Sequence, residues 1–176
     1  MLISSYNPQE MGDVLVIITG PDVADQTVNS KGNVTQITAA KDGRLLGYNF
    51  FNASEVLPEL KDERGQVFLS DEQVAKLNKA LKEAGFTDEL IADHTPKFVV
   101  GYVEKIEDHP KSDHLKITQT RVEDGKTVQI VCGSPNVKEH IKVVAARPGA
   151  MMPSGKIIWP GELMGVESEG MLCGFR

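Results

Sequence analysis

Cysteine is scarce in this chain: Cys132 and Cys173 are the only two among 176 residues. Two thiols cannot supply a disulfide framework or a four-cysteine zinc site. Each follows a strand-like apolar run, so both are expected as buried free thiols, with a single disulfide or a reactive thiol left as the alternative. Long apolar runs are missing too. Nothing approaches the roughly 20 residues that span a bilayer, because glycine or a charged residue interrupts every hydrophobic segment. The first continuous run, residues 14–18, has no basic flank before it and no small-residue cleavage site soon after. It reads as neither leader nor span, and a cytoplasmic protein without a membrane partner is expected. Catalytic fingerprints are also lacking. There is no P-loop or dinucleotide motif, and Gly133-Ser134-Pro135 lacks the second glycine and the helix of a nucleophile elbow. An enzyme is not expected, and no cofactor or metal is implied.

Excess positive charge is the last absence. The net charge of −6 argues at first against a polyanionic partner, which needs clustered lysine and arginine. The average conceals an asymmetry. Residues 1–96 carry 8 basic and 15 acidic side chains, whereas residues 97–176 carry 11 basic and 10 acidic. The acid excess lies in the first half alone. At 40% hydrophobic and 25% charged the composition is that of a globular chain, and its length allows two small domains.

In the first half, residues 14–19 read as a buried strand ending at Gly20-Pro21, and 34–38 and 45–51 as further strands joined by an Asp42-Gly43 hairpin signal. Ser70 with Gln73 forms a capping box, and Val74, Leu77, Ala80 and Leu81 recur at helical spacing, which predicts an amphipathic helix stopping at Gly85. A second short helix is expected from Thr87, and Thr95-Pro96 marks a boundary. The first domain, 1–94, is thus α+β. From Phe98 the pattern becomes short strands between turns, at 98–107, 115–123, 127–132, 141–146 and a last stretch over 156–173 broken by Pro160-Gly161. A helical turn at 137–140 would bridge the third and fourth. Five strands in that order predict an all-β OB-fold, a five-stranded Greek-key barrel, over 97–176.

Four segments then arrive in a fixed order: Val100-Gly-Tyr-Val-Glu-Lys-Ile-Glu-Asp-His-Pro110, Asp113-His-Leu115, Gln129-Ile-Val-Cys-Gly-Ser-Pro-Asn136 and Gly165-Val-Glu-Ser-Glu-Gly-Met-Leu-Cys173. This half resembles the tRNA-binding domain family, the module near the start of the bacterial phenylalanyl-tRNA synthetase beta chain and in endothelial monocyte-activating polypeptide. The first half is similar to the N-terminal domain of free-standing bacterial proteins of the YtpR type, most tellingly at Gly47-Tyr-Asn-Phe-Phe-Asn-Ala-Ser54. The resemblance implies a tRNA partner, an OB-fold and no catalysis. Ser112 and His114 stand where the family has a small residue before Asp113 and often a lysine after it, so one phosphate partner is lost. The family usually runs on beyond Met-Leu-Cys, and this chain ends three residues later, which reads as a truncated or a partly ordered protein.

Lys105, Lys111, Lys116, Lys138, Lys142 and Arg147 fall on strands one, two and four and the adjoining loops, where a barrel face would bring phosphate-neutralising cations together. Without the resemblance they would read as solvated surface charge among acids. Asn136 either offers its amide to a ribose or base edge or caps the 137–140 turn. Ser168 and Met171 belong to a turn that the resemblance places beside the RNA, with Ser168 as the direct contact; the alternative is a turn that only closes the barrel, with Met171 and Leu172 in the core. His109, Asp113 and His114 lie close in sequence, yet three ligands on one loop seldom hold a metal, and a His-Pro turn with Asp113 capping local amides accounts for them. With aromatics at 6%, recognition by shape and backbone, tolerant of sequence, is expected over extensive base stacking. The alternative is a dimerisation or protein-binding module. Homodimers are common among free-standing relatives, with Ile157, Ile158, Trp159 and Leu163 as the place for an interface. The first domain has no identifiable partner.

Overall fold

Strand-like alternation in the first half resolves into one antiparallel sheet. The computed structural model describes residues 1–174 and divides into two units, Met1–His94 and Thr95–Arg176; residues 175–176 of the expected second domain lie outside the described part. Unit one comprises β1 (Ile3–Tyr6), α1 (Pro8–Met11), β2 (Val14–Ile18), β3 (Gln26–Lys31), β4 (Val34–Ala39), β5 (Leu45–Phe51), α2 (Ala53–Val56), β6 (Gly65–Val67) and α3 (Asp71–Ala84). The strands lie in the order β3-β4-β5-β2-β1-β6. The run 14–18 is not buried on both sides: Leu15 and Ile17 are buried while Val14, Val16 and Ile18 are half-exposed. That is the period of a sheet with one face on a core.

Helix α3 begins where its box predicts. Ser70 Oγ accepts the Gln73 amide at 3.2 Å and Gln73 Oε1 accepts the Ser70 amide at 2.9 Å. It ends at Gly85, whose φ of 94° lies in the left-handed region that a Cβ disfavours. Val74, Leu77 and Leu81 pack with Tyr6, Leu15, Ile17, Tyr48 and Phe50 into one core. The helix expected from Thr87 does not form. Leu90 is buried instead, and the Asn78 side chain takes both of its backbone groups, accepting its N–H at 2.7 Å and donating to its carbonyl at 2.9 Å. A segment so satisfied has no use for helical bonds at Leu90.

Unit two comprises β7 (Phe98–Asp108), β8 (Lys116–Arg121), β9 (Thr127–Cys132), β10 (Lys142–Ala146), β11 (Gly161–Leu163), β12 (Val166–Ser168) and β13 (Met171–Cys173). Five of these form a curled antiparallel sheet, β13-β10-β7-β8-β9, and β11 with β12 makes a separate ribbon. This is the OB-fold, an all-β unit after an α+β one. The interior holds Val99, Val103, Val128, Ile130, Cys132, Val143, Ala145 and Leu172. The buried hydroxyl of Thr118 is satisfied by donating to the Ile130 carbonyl at 2.9 Å. The last predicted strand is three short pieces rather than one, since Met164 and Gly165 turn with φ of 52° and 85°.

The helical turn expected at 137–140 is absent. His140 sits at φ 64°, its amide donates to the Val103 carbonyl at 2.7 Å, and the Val103 amide donates to Ile141 at 3.0 Å. Backbone groups that a helix would use locally are drawn to β7. The two cysteines are free and belong to different clusters, Cys132 to the barrel interior and Cys173, half-buried, against Ala146, Ala150 and Ile158. Burial pushes the Cys173 thiol above its ordinary pKa.

Candidate nucleic-acid interface

One irregularity in β7 decides which side chains share the barrel's outer face. Up to Val103 the strand alternates, with Val99, Gly101 and Val103 inward and Phe98, Val100 and Tyr102 outward. The register with β8 then slips between Val103 and Lys105, so that Val103 pairs with Thr120 and Lys105 with Gln119. Glu104 is the extra residue of a β-bulge, which re-aims everything after it. Strict alternation would turn Lys105 inward; the bulge sends it out, beside Tyr102. Glu139 supports the irregularity, its carboxylate accepting the Ile106 amide at 3.0 Å.

Tyr102 is the centre of this face. Arg121 on β8 and Lys142 on β10 are its direct cross-strand neighbours. The Arg121 guanidinium lies 5.2 Å from the Tyr102 ring centroid, within cation–π range. The tyrosine hydroxyl is 3.2 Å from His140 Nδ1, and His140 comes from the loop that also carries Asn136 and Lys138. Lys105 adds a cation one step along, where Gln119 Nε2 donates to Gln129 Oε1 at 3.1 Å. Acids attend these cations. Lys105 pairs with Glu107, whose hydrogen bond raises the ammonium pKa, and Arg121 pairs with Glu104 at 3.3 Å. Lys111, Lys138, Lys142 and Arg147 have no ion pair among the described residues.

The nine candidate residues thus separate. Lys105 and Lys142 share the outer face, with Lys138 and Asn136 exposed on the adjoining loop. Lys116 pairs across β7 with Asp108 and across β9 with the inward Cys132, so it stands at the barrel rim. Lys111 is in the loop between β7 and β8, its Nζ beside Gly165 of the ribbon turn. Arg147 is at the far end of β10, its amide bonded to the Lys97 carbonyl at 2.7 Å. Asn136 caps no helix. Its amide donates to Ser134 Oγ at 3.4 Å, and it edges a cleft of about 30 Å³ with Cys132, Ile141, Val143 and Leu172.

Ser168 and Met171 are engaged in closing the barrel. Ser168 Oγ accepts the Val131 amide at 3.1 Å and donates to the Gly170 carbonyl at 3.2 Å. Gln129 Nε2 donates to the Glu167 carbonyl at 2.9 Å. These bonds seat the ribbon on β9. Met171 pairs with Ala146 and packs on the Ala146–Ala150–Ile158 cluster.

The loop after β7 is held by residues other than the one expected. Asp113 accepts no backbone amide among the described residues, its Oδ1 lying 3.3 Å from His114 Nδ1; Ser112 Oγ accepts the amides of His114 and Leu115 at 3.4 and 3.3 Å. His109 is buried, accepts the Lys111 amide at Nδ1 and bonds the Leu163 carbonyl through Nε2. Tyr102, Arg121 and His140 escape a sequence reading that collects lysines. Only the alternation of residues 98–102 pointed outward to Tyr102, and nothing in the sequence announces the bulge.

Residues 98–176 match the family described as "Putative tRNA binding domain", and residues 21–93 match a domain of unknown function. The chain is 43% identical over 169 residues to the Bacillus subtilis "Putative tRNA-binding protein YtpR", which spans 96% of this chain and 83% of that protein. It is 40% identical over 128 residues to the phenylalanine–tRNA ligase beta subunit of Oceanobacillus iheyensis and 45% identical over 101 residues to that of Neisseria gonorrhoeae. These matches cover 73% and 56% of this chain but only 14% and 13% of the ligase chains. The likeness to the ligases takes in only a small part of those chains, although at 128 and 101 residues it is longer than unit two and so reaches into unit one, whereas the likeness to YtpR covers most of both proteins: the chain belongs to the YtpR family.

Proposed function

We propose that residues 97–176 bind tRNA through the outer barrel face, by shape and phosphate backbone with tolerance of sequence, and that the chain catalyses no reaction. The observation that carries this is the row Lys142–Tyr102–Arg121 across three strands, with Lys105 brought onto the same face by the Glu104 bulge. Cations flanking one aromatic ring suit a phosphate chain with a stacked base or ribose beside it. Lys138 and Asn136 extend the surface from the neighbouring loop, and Lys111 and Lys116 form a second point of contact at the 109–115 loop. Arg147, Ser168 and Met171 act at a distance, the last two by keeping the barrel closed. Names borne by the relatives, and by the family matched over 98–176, support the same partner. Unit one, rich in acid, stays off the RNA.

A second reading has its own observation. Phe98, Val100 and Val144, exposed at 46, 65 and 42%, adjoin one another on the β7–β10 part of the sheet, where a protein partner would sit. Titration of the full chain into deacylated tRNA and into a DNA duplex at two salt concentrations separates the readings. Tighter tRNA binding, and a Lys105→Glu/Lys142→Glu variant with a log–log salt slope smaller by about 2, fits two phosphate contacts at roughly 0.9 each. Binding indifferent to both reversals overturns the outer-face assignment, and an unaltered affinity in Phe98→Ser/Val100→Thr separates RNA from protein docking.

A further inference from the structure

Strand β3 is one edge of the unit-one sheet, and all six of its residues are exposed. Proteins ordinarily blunt such an edge with proline, a bulge or an outward lysine. This strand contains no proline and pairs with β4 without a register shift. Its one lysine is folded back over unit one: Lys31 Nζ donates to the Gly85 carbonyl at 3.1 Å and lies 4.7 Å from the Phe86 ring centroid. Val28, in mid-strand, is 62% exposed.

Parity decides what this edge offers. The Ala40 amide donates to the Asp25 carbonyl at 2.9 Å, one step before the Gln26–Ala39 pair that opens the β3–β4 ladder. Hydrogen-bonded pairs alternate along an antiparallel ladder. Asp25, Thr27, Asn29 and Lys31 therefore turn their backbone groups to β4, and Gln26, Val28 and Ser30 turn theirs outward.

We propose that this edge is a homodimer interface, in which β3 pairs antiparallel with β3 of a second copy about a two-fold axis through Val28. The Val28-centred register joins all three outward residues, Gln26 with Ser30 of the partner subunit, Val28 with the partner's Val28, and Ser30 with the partner's Gln26. The same register sets each Lys31 opposite the partner's Asp25 on one side of the sheet, so that on pairing the ammonium exchanges the Gly85 carbonyl for a carboxylate and two opposite-charge pairs form. A slip of two residues either way loses both charge pairs and leaves an outward residue without a mate. The contact is isologous and closes at two copies, making one continuous sheet from two and carrying two OB units. It needs no RNA and stands apart from the function proposed above.

Sedimentation and light scattering of the full chain at tens of micromolar test this. The wild type is expected at the mass of two chains. Val28→Pro removes an amide that β4 does not use, and Val28→Lys sets like charges on the axis. Either weakens the dimer, by ~30-fold for the two hydrogen bonds lost to proline, with circular dichroism unchanged. Asp25→Lys and Lys31→Asp each weaken it, and the double variant restores it, because the swapped charges again face each other. A wild type at the mass of one chain, a Val28→Pro dimer as tight as wild type, or a double variant no tighter than the singles overturns the proposal.

Discussion

The imidazole of His109 joins Leu163 to Lys111: Nε2 lies 3.1 Å from the Leu163 carbonyl oxygen and Nδ1 lies 3.0 Å from the Lys111 amide. An amide can only donate and a carbonyl only accept, so the ring is held as the neutral tautomer with its proton on Nε2. One buried side chain thereby fastens the loop after β7 to the ribbon.

Replacing His109 by alanine leaves the Leu163 carbonyl and the Lys111 amide unpaired. A loss of ~2 kcal/mol of stability is expected, the cost of two neutral hydrogen bonds in a buried place. Chemical denaturation measures it. A long-range nitrogen NMR spectrum of the wild type should show the Nε2–H tautomer, and the opposite tautomer would contradict the bond pattern.

Gly170→Ala is expected to damage barrel closure more than its size implies. Gly170 has a φ of 139°, and a Cβ there would meet the Ala146 carbonyl oxygen at 2.6 Å. The backbone oxygen cannot move aside without breaking the β10–β13 pairing. A cost of ~3 kcal/mol, read as a fall in the unfolding midpoint of unit two, is the expected outcome.

Acid sensitivity of unit one should trace to Asp13. Burial raises its carboxyl pKa, but hydrogen bonds from the Ser54 hydroxyl and amide and from the Tyr6 hydroxyl outweigh burial and hold it below the ordinary carboxylate value. A carboxyl depressed on folding contributes stability that is complete above the unfolded pKa and is lost as pH falls through the folded one. Ser54→Ala removes the 2.6 Å hydroxyl bond, so it should cost ~1 kcal/mol at neutral pH and shrink the pH dependence below the unfolded carboxylate pKa. A variant with an unchanged acid limb would show that another group governs it.

Arg121→Ala should weaken tRNA binding by ~5-fold, the loss of one exposed cation–phosphate contact being worth about 1 kcal/mol. The fold should hardly change, since the Arg121–Glu104 pair is partly exposed and such pairs contribute little. Filter binding with thermal unfolding as the control checks both halves.

Much of the architecture was legible in residues that act locally. Ser70 and Gln73 start a helix because a hydroxyl and an amide three residues apart satisfy orphan backbone groups wherever they occur. Gly85 ends it, and the runs read at 34–38, 45–51 and 127–132 form strands, the first extending to Ala39. The motifs His-Pro, Ile-Val-Cys-Gly and Glu-Ser-Glu-Gly-Met identified the barrel because their joint order is improbable by chance. Strand β3 was not legible. Its six exposed residues show no apolar face, and only pairing with β4 makes it a strand.

What the sequence determined by itself is the set of elements whose stabilising partners lie within a few residues, together with the division of charge between the halves. Tertiary structure decided the rest where a distant partner competed with a local one. Asn78 took the backbone of Leu90 and no helix followed Thr87; Val103 took the amide of His140 and no helix formed before β10. The Glu104 bulge decided the outward face in the same way, turning Lys105 to stand beside Tyr102. Side-chain alternation is written along one strand, but the register that breaks it exists only between two.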